Sequence, residues 1–168
     1  RALAATAMVL LLAACGSEAA QPTAPAGEPQ RGGSLVFSVF LDAPSLDAAR
    51  CGQSVFWGPC QAIYGTLLNY DVESGEFTAG MAEAFTSENG IEWTLRLRSG
   101  VSFTDGTPFD AAAVVANWER AEDPAALSPG ASIARSMSAT VVDPLTVRVT
   151  LAEPNWQLPW ALVSELGF

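Results

Sequence analysis

The chain has 168 residues, 49% of them apolar, with 18 acidic residues against 8 basic ones, all arginine, for a formal charge of −10. That is enough chain for one domain with its own core, and so acidic a balance excludes the basic surface that nucleic-acid phosphates demand. There is no histidine, which removes the commonest general base, the usual serine or cysteine triad partner and a common zinc ligand; no catalytic residue, metal or cofactor is expected.

The first residue is Arg1 rather than methionine, and residues 159–168 are apolar with no polar tail; both ends read as cut. Residues 2–14 (ALAATAMVLLLAA) are almost wholly apolar. As a helix they span about 20 Å, short of a bilayer core of about 30 Å, so a short apolar run after a positive charge reads as the core of a secretory signal. It closes in Leu12-Ala13-Ala14-Cys15-Gly16, which resembles the lipobox of bacterial lipoproteins and implies a diacylglyceryl group on Cys15. Residues 16–30 (GSEAAQPTAPAGEPQ) have no apolar period and cannot offset their ordering entropy by burial. The expected organisation is therefore signal peptide 1–14, lipidated cysteine and flexible linker 15–30, and a folded part 31–168.

Residues 34–41 (SLVFSVFL) alternate as a strand apolar on both faces, the pattern of a central strand, until Ala43-Pro44-Ser45 breaks it. Residues 61–68 (QAIYGTLL) predict a short helix, with Ile63 and Leu67, and Tyr64 and Leu68, at i, i+4. Residues 71–76 (DVESGE) carry turn chemistry. Residues 82–85 and 91–97 flank Asn89-Gly90 and predict a hairpin, since Asn and Gly both tolerate positive φ; Trp93, Leu95 and Leu97 form its inward face. Residues 110–122 predict a helix capped by Asp110, with Val114, Val115, Trp118 and Ala121 on one face. A second hairpin turns at Asp143-Pro144, with Val147, Val149 and Leu151 alternating against Thr146, Arg148 and Thr150. Trp93 and Trp118 are expected in the core. Hairpins mixed with helices give an α/β class, mixed α+β in detail.

Cys51 and Cys60 stand nine positions apart across Gly52 and Gly58-Pro59. Outside the cytoplasm such a pair closes a small loop, stabilising by about 2.6 kcal/mol in the chain-entropy model; two free buried thiols are the alternative.

Several blocks then resemble, in order, the extracellular solute-binding proteins of peptide and nickel ABC importers, family 5. Gly32-Gly33-Ser34-Leu35-Val36 is similar to the opening strand of that family. Ala43-Pro44-Ser45-Leu46-Asp47 is similar to its P-x-S-L-D-P turn, with Ala48 in place of the second proline. Ile63-Tyr64-Gly65-Thr66-Leu67-Leu68 resembles its I-Y-E-G-L helix, and residues 80–85 its P-x-L-A-E-S-W segment. The most specific block is residues 93–109 (WTLRLRSGVSFTDGTPF), similar to T-F-x-L-R-x-G-V-K-F-x-D-G-x-P-F. One departure is Ala112-Ala113, where the family carries acidic residues.

The resemblance implies a two-lobed periplasmic-binding-protein type II fold, of which this chain supplies part of the first lobe. It implies binding without chemistry: a monomeric substrate-binding component of an ABC importer. Such a component captures oligopeptides or a similar small solute outside the cytoplasmic membrane and passes it to permease subunits. A lipid anchor would hold it at the outer face of the cytoplasmic membrane or in the periplasm. In related proteins the segment between the first strand and the I-Y helix lines the cleft. Here that is residues 51–60, with Trp57 as the main solute contact and Phe56 and Ser54 as companions; a core role under the loop is the alternative for Trp57. Trp156 and Trp160 stay open. Two further readings stand beside this one. The first is a secreted carboxylate-dependent hydrolase using a pair among Asp42, Asp47, Asp105 and Asp110; the second is a solute sensor on the same fold.

Overall fold

The computed structural model describes residues 32–36, 38, 45–51 and 57–168. The chain divides into two units, Arg1–Phe37 and Ser38–Phe168. In the first, residues 32–36 carry no strand, and Leu35 and Val36 are exposed. The strand expected over 34–41 is therefore absent at residues 34–36: a pattern apolar on both faces makes a strand only where neighbours cover both, and Leu35 and Val36 are exposed. The signal segment, Cys15, the linker and residues 37 and 39–41 lie outside the described residues.

The second unit is built on a four-stranded antiparallel sheet of order β3-β4-β6-β5, with β3 Ala82–Ser87, β4 Glu92–Leu97, β5 Met137–Asp143 and β6 Thr146–Leu151. Both predicted hairpins are present. Trp93, Leu95 and Leu97 of β4 face Val149, Val147 and their neighbours on β6, and Trp93↔Val149 and Leu95↔Val147 are direct cross-strand pairs. Period-2 alternation puts all of these on one face, and burying each removes roughly 1.5–3 kcal/mol of apolar exposure.

The Asn89-Gly90 turn differs from a two-residue hairpin. Only Gly90 adopts positive φ, at 71°; Asn89 Oδ1 instead accepts from the Ile91 and Glu92 amides at 2.9 Å each. The Ser87 hydroxyl accepts from the Gly90 amide at 2.8 Å. Side-chain oxygens thus organise a wider loop, as Asn and Ser do where the backbone has no ladder partner.

Among the described residues four α-helices accompany the sheets, those over 111–122 and 131–136 packing on the four-stranded one. In order they are α1 Trp57–Ile63, α2 Ala111–Glu122, α3 Ala131–Ser136 and α4 Leu158–Val163. Helix α2 starts where expected, its Ala113 amide donating to Asp110 Oδ1 at 2.9 Å, and it buries Ala111, Val114, Trp118 and Ala121 against β5 and β6. Trp118 is 1% exposed and donates through Nε1 to the Leu166 carbonyl at 2.9 Å, so the core assignment holds for it and for Trp93.

The helix predicted over 61–68 is displaced. Its last turn ends at Ile63, and Leu68 instead opens β1, Leu68–Asp71, which pairs antiparallel with β2, Glu76–Ala79. The turn between them is the one the sequence marked: Asp71 Oδ1 accepts from the Glu73 amide at 2.8 Å, and Gly75 takes positive φ. Leu67 and Leu68 are buried where the chain bends into β1 and begins it, rather than on a helix face. Gly80 explains how the hairpin returns to β3. A Cβ there would lie 2.3 Å from the Thr66 carbonyl oxygen; without one, that carbonyl accepts from the Met81 amide at 2.8 Å and the Leu67 carbonyl from Ala82 at 2.9 Å.

Candidate functional site

The site expected from the sequence is the loop between Cys51 and Cys60. Its two feet are well placed. Cys51 follows a single 3₁₀ turn, Ala48–Arg50, and Cys60 lies within α1. The two sulfur atoms are 2.07 Å apart and the Cα atoms 5.8 Å apart, and both cysteines are buried with Tyr64 and Phe168 packed around them. Ser54 and Phe56, on the loop between, lie outside the described residues. Trp57 opens α1, and its side chain lies outside them too.

The foot at residues 45–51 is tied down by polar contacts the sequence did not reveal. Arg120 on α2 grips both carboxylate oxygens of Asp47, Nη1 to Oδ1 at 2.7 Å and Nη2 to Oδ2. Oδ1 also accepts from the Ala49 amide at 3.1 Å, which caps the 3₁₀ turn. Arg50 Nε donates to the Ala126 carbonyl at 3.2 Å, and the Tyr64 hydroxyl donates to the Leu46 carbonyl. The Arg120 guanidinium holds the Asp47 carboxyl below the usual carboxylate range against desolvation, with further help from the Ala49 amide.

Two concavities meet beside this foot, sharing Tyr64, Gly65 and Met81. One, of about 490 Å³, is apolar and walled by Ile63, Phe103, Phe109, Trp118 and Phe168, with Asn117 among its polar atoms. The other is a more open polar groove of about 540 Å³ bearing Gln61, Thr66, Asn69 and Arg98. In it the Thr66 hydroxyl donates to Asn69 Oδ1 at 3.0 Å and Asn69 Nδ2 donates to the Ala79 carbonyl at 3.0 Å. An apolar recess adjoining a rim of amide and guanidinium donors suits a small solute with both apolar and polar parts. Periodicity points to Trp118 only as a core residue, and Phe109 enters only as the last residue of the family-like block; Tyr64 reads as a helix-face residue, and nothing local marks its hydroxyl bond.

The carboxylates weighed for a hydrolase have other work. Asp105 accepts from the Thr107 hydroxyl at 2.7 Å and amide at 2.9 Å, which lowers its pKa. Asp110 caps α2 and Asp47 pairs with Arg120, while Asp42 lies outside the described residues. A glycosidase-type acid needs a carboxyl pushed upward; Asp47 and Asp105 are pushed downward. Among the described residues no three His, Cys, Asp or Glu side chains converge on a metal-sized site, and no described helix is long and apolar enough to cross a membrane.

Trp156 and Trp160 are both exposed. Trp160 packs on Tyr70 and Phe77, ring centroids 4.4 and 5.0 Å away, and Trp156 meets Trp93 edge-on at 5.9 Å. They extend the core outward on the β1–β2 hairpin and at the Gly90 loop.

Residues 76–168 match the model of the bacterial extracellular solute-binding proteins, family 5 (middle region), over more than half the chain. The chain belongs to this family. Its similarity to individual family 5 relatives extends further toward the amino terminus. It is 34% identical over 122 residues to the glutathione-binding protein GsiB of Escherichia coli K12, covering 71% of this chain and 24% of that protein. Among solved structures, the Escherichia coli murein tripeptide binding protein MppA superposes with a TM-score of 0.65 at 26% identity, covering 73% of this chain and 28% of that one. The PBP AgaA from A. tumefaciens R10, in complex with agropinic acid, gives a TM-score of 0.65 at 28% identity, covering 74% and 26%. The architecture is therefore part of a periplasmic-binding-protein type II fold, and the chain spans about a quarter of the length of these relatives.

Proposed function

We propose that the protein is the solute-binding component of an ABC importer, taking a peptide-like solute outside the cytoplasmic membrane and handing it to permease subunits without chemical change. The family match over residues 76–168 carries this reading. Two of the similar proteins are named for small peptide-like solutes, glutathione and a murein tripeptide, while a third holds agropinic acid; the first two favour a short peptide over a nickel chelate or sugar. The chain supplies part of the first lobe of the binding domain, and the loop between Cys51 and Cys60 forms one wall of the cleft, with Trp57 as the main contact and Phe56 and Ser54 beside it. An aromatic there covers solute area at low entropic cost. Cys51 and Cys60 are bridged in the exported protein, and Cys15 carries a diacylglyceryl anchor.

Titration calorimetry of the full-length protein with glutathione, the murein tripeptide and unrelated sugars tests the solute class: saturable binding of a tripeptide supports it, and binding of sugars alone overturns it. Trp57→Ala weakens the tripeptide by about 1–3 kcal/mol with urea stability little changed. A variant that loses stability while its folded fraction binds normally moves Trp57 to the core. Mass spectrometry of the native amino terminus reads the anchor, and an unmodified terminus beyond Gly16 removes it.

A further inference from the structure

We propose that Arg120 is a positioning residue for solute binding: by clamping Asp47 it fixes residues 45–51, the foot from which the loop to Cys60 departs. The inference rests on the reading of that loop as a cleft wall.

Burial does little to hold this foot. Of residues 45–51 only Ala49 and Cys51 are buried, and Leu46, its one large apolar side chain, is 61% exposed. Directed polar contacts from distant parts of the chain hold it instead. Two of them, Arg120 to Asp47 and Arg50 to the Ala126 carbonyl, run to the carboxyl end of α2 and the 3₁₀ turn that follows, Pro124–Ala126. That turn is itself fixed. Asp123 Oδ1 accepts from the Ala125 amide at 2.8 Å, and the next residue, Leu127, is held at φ 52°, a left-handed conformation that disfavours a side chain and persists only where its surroundings enforce it. Helix α2 is thus the reference body, its own placement set by buried Trp118 two residues before Arg120.

Fork geometry makes the contact directional. A guanidinium meeting a carboxylate with two parallel hydrogen bonds fixes orientation as well as distance, which an ammonium cannot do. Because the same Asp47 oxygen accepts from the Ala49 amide, turning the carboxylate turns the 3₁₀ residues that end at Cys51. The order of control runs from α2 through Arg120 and Asp47 to the foot, which ends at Cys51. The Arg120 and Asp47 side chains remain 49% and 29% exposed, and ion pairs that open to water contribute little to global stability. Their effect is local geometry.

The test uses full-length protein carrying Arg120→Met, Arg120→Lys, Asp47→Asn, or Arg120→Met with Asp47→Asn. Hydrogen exchange is followed at the amides of residues 48–51 and on β4 and β6, with glutathione and the murein tripeptide titrated in parallel. Arg120→Met should speed exchange at residues 48–51 about tenfold, leave β4 and β6 unchanged, and weaken tripeptide binding by a similar factor. Arg120→Lys should fall between wild type and Met, and the double variant should match the worse single one. Unchanged exchange at residues 48–51, an equal rise on β4 and β6, or additive single effects would overturn the assignment, as would undiminished tripeptide affinity in Arg120→Met. If the wild type binds neither tripeptide, the solute reading of the preceding section falls, and the exchange pattern alone decides whether Arg120 positions the foot.

Discussion

Trp118 and Leu46 are both large apolar residues, yet one is 1% exposed and the other 61%. Around Trp118, the body of β3–β6 and α2 is held by side chains that share a face because strands repeat every two residues and helices about every 3.6. Around Leu46, the foot of the Cys51–Cys60 loop is held by an ion pair, two side-chain hydrogen bonds to carbonyls and a sulfur–sulfur contact. The first arrangement resists any single loss because apolar contact is non-directional and spread over many atoms. The second depends on a few atoms in fixed geometry, and it can be released without melting the first.

The contrast can be broken at its strongest point first. Trp118→Ala removes a fully buried side chain and should cost about 3–5 kcal/mol of unfolding free energy in urea; a loss below 1 kcal/mol would mean that the body does not rest on this contact. Reduction of the Cys51–Cys60 pair comes next, with an expected loss of about 2.6 kcal/mol from the loop entropy restored to the unfolded chain. If both cysteines alkylate readily in native, unreduced protein, no bridge exists to lose. Asp110→Ala should cost about 1 kcal/mol by stripping the α2 cap, with the hairpins unaffected in hydrogen exchange. The smallest effect is that of pH on the foot. Arg120 depresses the Asp47 carboxyl, so the stabilisation is complete above the ordinary aspartate value of about 3.9 and lost as pH falls through the lower folded-state value. Exchange at residues 48–51, corrected for intrinsic rate, should stay flat between about pH 7 and 5 and rise only in stronger acid; a rise within the flat window would place control elsewhere.

How much of this was legible follows the same division. The β3–β4 and β5–β6 hairpins and α2 were readable because their core residues alternate or recur within a few positions, and Asp110 marks its helix locally. The helix expected over 61–68 stops at Ile63 because Leu67 and Leu68 satisfy a helical spacing while one lies in the bend before β1 and the other opens that strand. The partner strand, β2, is exposed throughout and so carries no alternation to announce it. Helices α3 and α4 have six residues each, too few for a period to declare itself, and they form where the tertiary surface receives them. Asp47 stands out in the sequence as part of a family-like turn and as one carboxylate among several, but not as an ion-pair member, because its partner stands 73 positions along the chain. Recognition of the family came from the order of short blocks, above all residues 93–109, whose local physics is ordinary. The loop residues proposed to touch solute owe their assignment to that resemblance and not to any pattern of their own.

The turn at Pro144 joins two parts of the body in a way that bears on how the protein can be engineered. The Ala111 amide, one of the donors left open at the start of α2, gives its hydrogen to the Pro144 carbonyl at 2.9 Å, and the Leu97 amide reaches the Leu145 carbonyl at 2.8 Å. A hairpin tip is ordinarily the place to graft a tag or a fluorescent insert. This one is a keystone between sheet and helix, and lengthening it separates both. The tip at Val72, exposed and bonded only within its own hairpin, is where foreign sequence belongs.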